Sequence, residues 1–376
     1  MDILKVPQGE FQLSRFPLRK KELLRAWDAA DEYLLNYFHE KFGNSCKLKI
    51  ITVNDHFGAM ATALAKHQVS VWTDSWLAEK ALLENFKNNK LSLSSEVIKS
   101  TQTPGGSADV ILIKIPKSHA LLEDQLIRLK PLLSATTTII AAGMAKAIHT
   151  STLKLFEKYI GLTKTSLAKK KARLIFSEHD EKIKVVNSPY PKSYLLEGTT
   201  HKIINHANVF SREKLDIGTR FFLENLPQNE KYKHIIDLGC GNGVVGLIAA
   251  EKNPAAEILF IDESFMAIES ARENFENNLG LNRKASFQTN DCLSNIKHES
   301  VDLILNNPPF HQNNAIGDDV AWQMFRQSKN ILKQSGELWV IGNRHLAYHI
   351  KLKKIFANCV TIATNKKFVI LKSIKH

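Results

Sequence analysis

His234-Ile235-Ile236-Asp237-Leu238-Gly239-Cys240-Gly241-Asn242-Gly243 decides the fold. Its first five residues, rich in aliphatic and β-branched side chains, read as a buried strand. They run into three alternating glycines, and helix formers follow over 244–251. A strand, a glycine loop and a helix start make a tight turn beneath a nucleotide-like ligand. Working outward, the spacing predicts a strand over 257–261 ending at Asp262, a helix over 264–277 and a strand over 286–288 ahead of Asn290-Asp291. Strand and helix alternate, which argues for a parallel α/β sheet.

A further predicted strand, 301–305, runs into Asn306-Asn307-Pro308-Pro309-Phe310. Proline lacks an N–H and fixes φ, so two prolines end a ladder. The strand therefore delivers an amide side chain, free carbonyls and an aromatic ring at its carboxyl end, where open α/β sheets bind ligands. A helix over 321–332, a strand over 337–341 and an antiparallel pair at 359–363 and 367–371 complete this half.

The amino-terminal half carries the same pattern. Ile50-Ile51-Thr52-Val53-Asn54-Asp55-His56-Phe57-Gly58 lies over 235–243, and Lys114-Ile115-Pro116 lies over Asn307-Pro308-Pro309. Asp74, with a helix ending Glu84-Asn85-Phe86-Lys87-Asn88-Asn89, lies over Asp262, with a helix ending Glu273-Asn274-Phe275-Glu276-Asn277-Asn278. This is an internal repeat of large period. The first copy keeps one loop glycine where the second has three, and Thr52 replaces Asp237. A β-carbon at each lost glycine blocks close approach of a ligand to the backbone. The first copy is therefore expected not to bind the cofactor of the second. A helix is expected over roughly 23–38, with Asp28, Asp31 and Glu32 on its outer face. The expected division is a degenerate domain over 1–164, either RNA-binding or structural, a connection and front of the second domain over 165–232, and a catalytic domain over 233–376.

The chain has 376 residues, 44% of them hydrophobic and 24% charged, with a net charge of +13. These are globular values, and the basic balance favours a polyanionic partner such as nucleic acid. Cys46, Cys240, Cys292 and Cys359 are scattered, so neither a disulfide framework nor a zinc site is expected. No metal is expected either, because the histidines form no ligand pattern. The first twenty residues contain no apolar run and no stretch approaches eighteen apolar residues, so neither a signal peptide nor a membrane span is expected. A cytoplasmic, reduced monomer is the expectation.

Gly241-x-Gly243-x-x-Gly246 also matches the dinucleotide fingerprint, so an NAD-dependent dehydrogenase is a competing reading. Asp237 just before the glycines and the Asn-Pro-Pro-Phe tetrapeptide favour S-adenosylmethionine, since hydride transfer needs no such tetrapeptide. An aromatic amine is a poor nucleophile because its lone pair is delocalised. The Asn307 oxygen and the Pro308 carbonyl can accept its two N–H groups and favour a pyramidal nitrogen with its lone pair facing the methyl donor. Expected catalytic residues are Asn307, Pro308, Pro309 and Phe310, the last stacking on the base. Expected cofactor-binding residues are Asp237, Gly239, Cys240, Gly241, Gly243, Asp262, Asp291 and Asn307. Phe210, Ser211, Arg212 and Asp216 stand ahead of the core and are expected to close over the cofactor. The basic run Lys169-Lys170-Lys171-Ala172-Arg173 is the expected RNA contact, through Lys169, Lys170, Lys171 and Arg173 together with Phe310.

At residues 237–243, Asp262 and 307–310, with Asn205-His206-Ala207-Asn208-Val209-Phe210-Ser211-Arg212 upstream, the chain resembles the RlmG/RsmC family of ribosomal RNA guanine-N2 methyltransferases. Ala26-Trp27-Asp28-Ala29-Ala30-Asp31-Glu32-Tyr33-Leu34-Leu35 and residues 110–117 resemble its large-subunit branch. The likeness covers nearly the whole chain, with no departure from the catalytic pattern in the second half. It implies an α/β fold of two tandem class I (Rossmann-like) methyltransferase domains, the first degenerate, methylating one guanine N2 of 23S rRNA with S-adenosylmethionine. Methylation of 16S rRNA, N6-adenine or N5-glutamine methylation, and a non-enzymatic RNA-binding assembly factor are the alternatives, because the tetrapeptide serves any planar amine.

Overall fold

The computed structural model describes residues 2–18, 22–43, 45, 47–92, 96–309 and 315–376, without the side chains of 315–318. The chain divides into two compact units, Met1–Tyr190 and Pro191–His376. The first contains β1 (Asp2–Val6), β2 (Gly9–Leu13), α1 (Ala29–Phe42), β3 (Lys49–Val53), α2 (Ala59–Ala63), β4 (Gln68–Thr73) and α3 (Trp76–Asn88). It continues with β5 (Val97–Lys99), β6 (Val110–Lys114), α4 (His119–Leu129), β7 (Thr138–Met144), α5 (Thr150–Tyr159), β8 (Thr163–Thr165) and β9 (Ala172–Ser177). The second unit repeats the series: β10 (Lys192–Leu195), β11 (Lys202–Asn205), α6 (Ile217–Glu224), β12 (His234–Leu238), α7 (Val244–Lys252), β13 (Glu257–Asp262) and α8 (Phe265–Leu279). It ends with β14 (Ala285–Thr289), β15 (Val301–Asn306), α9 (Ala315–Ile331), β16 (Leu332–Asn343), α10 (Tyr348–Phe356), β17 (Val360–Thr364) and β18 (Phe368–Ile374).

The sheets have strand orders β5-β4-β3-β6-β7-β9-β8 and β14-β13-β12-β15-β16-β18-β17, the same order twice. The first five strands of each order are parallel and the last two run antiparallel to their neighbours. Parallel strands are covered on both faces, which is why they read as aliphatic runs. β6 is buried along its whole length, Lys114 included. In each sheet the chain order reverses beside the central strand, β3 or β12. That is the switch point where ligands enter such sheets at the carboxyl ends.

Strand register aligns the copies residue by residue. Val53 pairs with Trp72 and Ile113, and Leu238 pairs with Ile261 and Asn306. Thr52 therefore matches Asp237, residues 54–58 match 239–243, and Lys114 matches Asn307. The same register puts Thr73, not Asp74, opposite Asp262, a one-residue correction to the sequence alignment.

The repeated asparagines have a structural job. Asn85 accepts the Ser14 N–H at 2.9 Å and donates to the carbonyls of Ser14 and Phe57 at 2.9 and 2.8 Å. Asn274 accepts the Ile204 N–H at 2.6 Å and donates to the carbonyls of Ile204 and Asn242 at 2.8 and 2.9 Å. In both units one amide thus ties the chain at the end of the leading hairpin to the carbonyl just before the helix-starting glycine. Both asparagines are fully buried, so losing either leaves several polar groups unpaired, at about 1–3 kcal/mol each.

Other boundaries moved. α1 starts at Ala29 because Asp28 accepts the N–H groups of Ala30 and Asp31 while the Asp31 carboxylate accepts the Asp28 N–H, a reciprocal cap. Asp31 is therefore buried, not on an outer face. The stretch 165–232 is not one connection. β8 and β9 close the first sheet, and residues from Pro191 onward belong to the second unit. The basic run forms the β8–β9 turn, where Lys170 and Lys171 take positive φ of 49° and 64°. Among the described residues no helix is long and apolar enough to cross a membrane, and no group of three or more His, Cys, Asp or Glu is placed to hold a metal ion.

Candidate active site

The site of the second unit is built on the carboxyl ends of β12, β13, β14 and β15. Asp237 is buried, and its Oδ2 accepts the Gly246 N–H of α7 at 2.8 Å. Burial, with the Asp262 charge added, pushes its carboxyl up to about 8, while the Gly246 hydrogen bond pulls the other way. The loop that follows is pinned by the Gly239 and Cys240 N–H groups, both donating to the Ile261 carbonyl. Gly239, Gly241 and Gly243 all have positive φ, at 71°, 54° and 75°.

Two of these glycines serve different purposes. A β-carbon on Gly243 would lie 2.7 Å from the Ala271 β-carbon, so this residue lets α7 pack against α8. A β-carbon on Gly241 would meet no atom within 4 Å. Its side faces open space, and its N–H donates to Asp262 Oδ2 at 3.0 Å. A glycine at positive φ beside open space is a cradle that a side chain would fill. Asp262 also accepts the Ser264 N–H through Oδ1, which fixes its carboxylate at the edge of that cradle. The Cys240 thiol is buried and pushed up by burial and then by Asp262 and Asp237, so it is no nucleophile. Asp291, after β14, is buried and accepts from Gln323 Nε2 at 2.9 Å.

On the other side of the switch point stands Asn307. Its Nδ2 donates to Thr219 Oγ1 of α6 at 3.1 Å, and its Oδ1 is buried with no partner among the described residues. The amide oxygens of Asn306 and Asn343 are likewise buried and unpartnered. Three orphaned acceptors at the ends of adjacent strands β15 and β16 suit a ligand that brings N–H donors. Asn306 Nδ2 meanwhile donates to the Leu238 carbonyl at 2.8 Å, which locks β15 to β12 just below the site. Pro308 is buried and Pro309 exposed. Phe310 lies outside the described residues.

The structure thus brings Asp237, Gly239, Cys240, Gly241, Gly243, Asp262 and Asn307 to one switch point, with Asp291 on the next strand. Asp216 is the N-cap of α6, accepting the Thr219 N–H, and Phe210 is exposed. The basic run belongs to the first unit. There Lys170 pairs with Glu32 at 2.8 Å and Lys169 lies over the Tyr33 ring. Sequence reasoning missed Thr219, which is 88 residues from Asn307 in the chain. Its trace was the matching spacing of Asp28 with Asp31 and Asp216 with Thr219.

The same positions in the first unit are filled differently. Asn54, at φ 60°, replaces Gly239, and its side chain forms a closed amide pair with Gln125 at 2.8 and 2.9 Å. His56 replaces Gly241. Lys114, in place of Asn307, reaches Asp28 at 2.7 Å and Asp31 at 2.9 Å. Burial alone would depress this ammonium, but Asp31 and Asp28 hold its pKa above the usual lysine value.

A family model described as the RLMG N-terminal domain matches residues 1–181, and one described as the methyltransferase small domain matches residues 200–372. The ribosomal RNA large subunit methyltransferase G of Aeromonas salmonicida is 49% identical, over 96% of this chain and 96% of the relative. The enzyme of that name from Pseudomonas aeruginosa strain PAO1 is 47% identical, over 99% of this chain and 100% of the relative. That of Streptomyces coelicolor is 46% identical, over 98% and 99%. Among solved structures, a T. thermophilus 16S rRNA N2 methyltransferase, RsmC, in complex with AdoMet and guanosine superimposes with a TM-score of 0.79 at 19% identity, over 100% of this chain and 98% of that one. At that identity the likeness establishes the shared fold.

Proposed function

The chain belongs to the ribosomal RNA large subunit methyltransferase G family, and from that membership we propose that its second unit methylates the exocyclic N2 of one guanine in 23S rRNA. It is an S-adenosylmethionine-dependent rRNA methyltransferase. The observation that carries the choice of an amine is Asn307 Oδ1, a buried acceptor without a partner beside the glycine cradle.

The residues present fit the cofactor. Gly241 leaves backbone space, Asp262 offers a carboxylate to ribose hydroxyls, and Asp291 offers one to an adenine amino group. When bound, S-adenosylmethionine supplies an electrophilic methyl group. Asn307 Oδ1 and the Pro308 carbonyl accept the two N–H groups of the substrate amine and hold its nitrogen in line. Transfer of that methyl from sulfur to the amine would leave a neutral thioether and a cationic nitrogen, whose charge the same two oxygens would stabilise until a proton leaves to solvent. A paired guanine has to leave its stack to reach such a site.

The first unit, in this reading, is a degenerate copy from an internal duplication that binds RNA and no cofactor. Its lost glycines, its Thr73 in place of Asp262 and its Lys114 ion cluster support the absence of cofactor. Its charge, 28 basic against 19 acidic residues over 1–190 compared with 23 against 19 over 191–376, supports the RNA contact. Lys169, Lys170, Lys171 and Arg173 are all exposed at the β8–β9 turn, Lys170 being paired with Glu32. The enzyme would meet this substrate in the bacterial cytoplasm. Mapping N2-methylguanines in rRNA from cells with and without the protein tests the reading: one large-subunit site should vanish. Loss of a small-subunit or adenine mark instead would refute it.

A further inference from the structure

An asparagine amide has two unlike ends. Only its oxygen can accept an N–H from a substrate amine; turned by half a rotation it presents two donors to two donors. The rotation of Asn307 therefore decides whether the site works, and no covalent feature of asparagine sets it.

Three observations bear on what sets it. Asn307 Nδ2 donates to Thr219 Oγ1 at 3.1 Å. The Thr219 hydroxyl in turn lies 3.4 Å from Asp216 Oδ2, the oxygen that accepts the Thr219 N–H at 3.0 Å. A carboxylate only accepts, so the hydroxyl proton goes to Asp216 and the oxygen lone pair faces Asn307. The series then reads in one direction, from amide to hydroxyl to carboxylate, and Oδ1 is the end left over. The second observation is rigidity. Thr219 is buried, and at Gly218 a β-carbon would come within 2.9 Å of the Phe368 ring and 3.0 Å of Asp216 Oδ2. The start of α6 is thereby pressed against β18 and has no room to turn away. The third is the first unit. Its matching positions hold Asp28, Asp31 and Lys114, again two caps at a helix start gripping the residue at the strand end. Two acids face an ammonium there; a neutral hydroxyl faces a neutral amide here. The three positions differ as a set.

We propose that Thr219 is a positioning residue for methyl transfer: its hydroxyl, oriented by Asp216, fixes the Asn307 amide with Oδ1 turned to the substrate nitrogen. This rests on the reading that Asn307 accepts the reacting amine.

The test uses the full chain, S-adenosylmethionine at saturation and deproteinised large-subunit rRNA from cells lacking the protein. Thr219→Val keeps the branched shape and the capped N–H but removes the hydroxyl. It should lower the single-turnover rate about 10- to 100-fold, the scale of a misplaced reacting group. Calorimetric affinity for S-adenosylmethionine should stay within about threefold. Thr219→Ser, which restores the hydroxyl, should return the rate to within about threefold of wild type. A wild-type rate in Thr219→Val would overturn the proposal. So would a serine variant as slow as valine, or cofactor affinity or thermal midpoint falling in step with the rate. An active Asn307→Ala enzyme would instead refute the underlying reading of Asn307.

Discussion

The loops 54–58 and 239–243 have the same length, the same strand register and the same final glycine, yet only one makes a cradle. Gly58 and Gly243 share φ 75°, and a β-carbon on either would sit 2.7 Å from the next helix, at Leu82 or Ala271. Position 241 is different: open glycine in the second unit, histidine in the first. What the two units share is therefore architecture. The helix glycine and the buried asparagine clamp at 85 or 274 recur because the fold needs them. What they do not share is chemistry: Gly241 against His56, Asp262 against Thr73, and Asn307 with Thr219 against Lys114 with Asp31.

Even the buried carboxyl follows this division. Asp237 caps the Gly246 N–H from the strand, while Asp55, three residues further along in the aligned frame, caps the matching Ala61 N–H at 2.9 Å. One helix N–H is satisfied from two different positions. The interaction is kept for the fold, and the residue that supplies it is free to move.

The largest effect expected from breaking the comparison is at Asn307. Asn307→Ala should cut single-turnover methyl transfer to rRNA by roughly a thousandfold or more, losing both orientation and charge stabilisation. Its calorimetric affinity for S-adenosylmethionine should stay within a few-fold. At the matching position, Lys114→Met should leave that affinity untouched but strand two carboxylates, one of them buried. Removing one partner of a buried pair costs about 3 kcal/mol or more, readable as an earlier urea transition of the first unit.

The smallest effect should be in pH. Burial, with the Asp31 charge added, pushes Asp55 up to about 7, and burial pushes Asp237 up to about 8, both from 3.8. Between the unfolded value and these folded values the native chain holds protons that the unfolded chain has released. Stability should therefore fall as pH rises from about 4 to 7 for the first unit and to 8 for the second. Asp55→Asn and Asp237→Asn should each flatten the decline of its own unit, by about a few degrees in thermal midpoint. A midpoint that rises over this range would remove the assignment.

Much of this was legible in the sequence. The alternation of strand and helix, the glycine loop and the proline-ended strand follow from local chemistry, and the repeat was visible in the paired helix ends. The misreadings have physical causes. A short strand offers no local mark of register, so Asp74 was set against Asp262 where pairing puts Thr73. The β8–β9 turn places Lys170 and Lys171 at positive φ, where glycine or asparagine is the usual signal, and so the end of the first sheet went unseen. Asp28 and Asp31 looked like an exposed helix face because nothing in their own stretch reveals a buried lysine 86 residues away. Thr219 left only its cap spacing as a trace for the same reason: its contact with Asn307 is made by folding.

The central claim is that one fold is used twice and only the second copy kept its cofactor site. The direct measurement is calorimetric titration of the full chain with S-adenosylmethionine, as wild type and as Asp262→Ala. One site per chain, weakened about a hundredfold or more in the variant, is the predicted result. Two sites per chain, or a single site that survives Asp262→Ala, would contradict it.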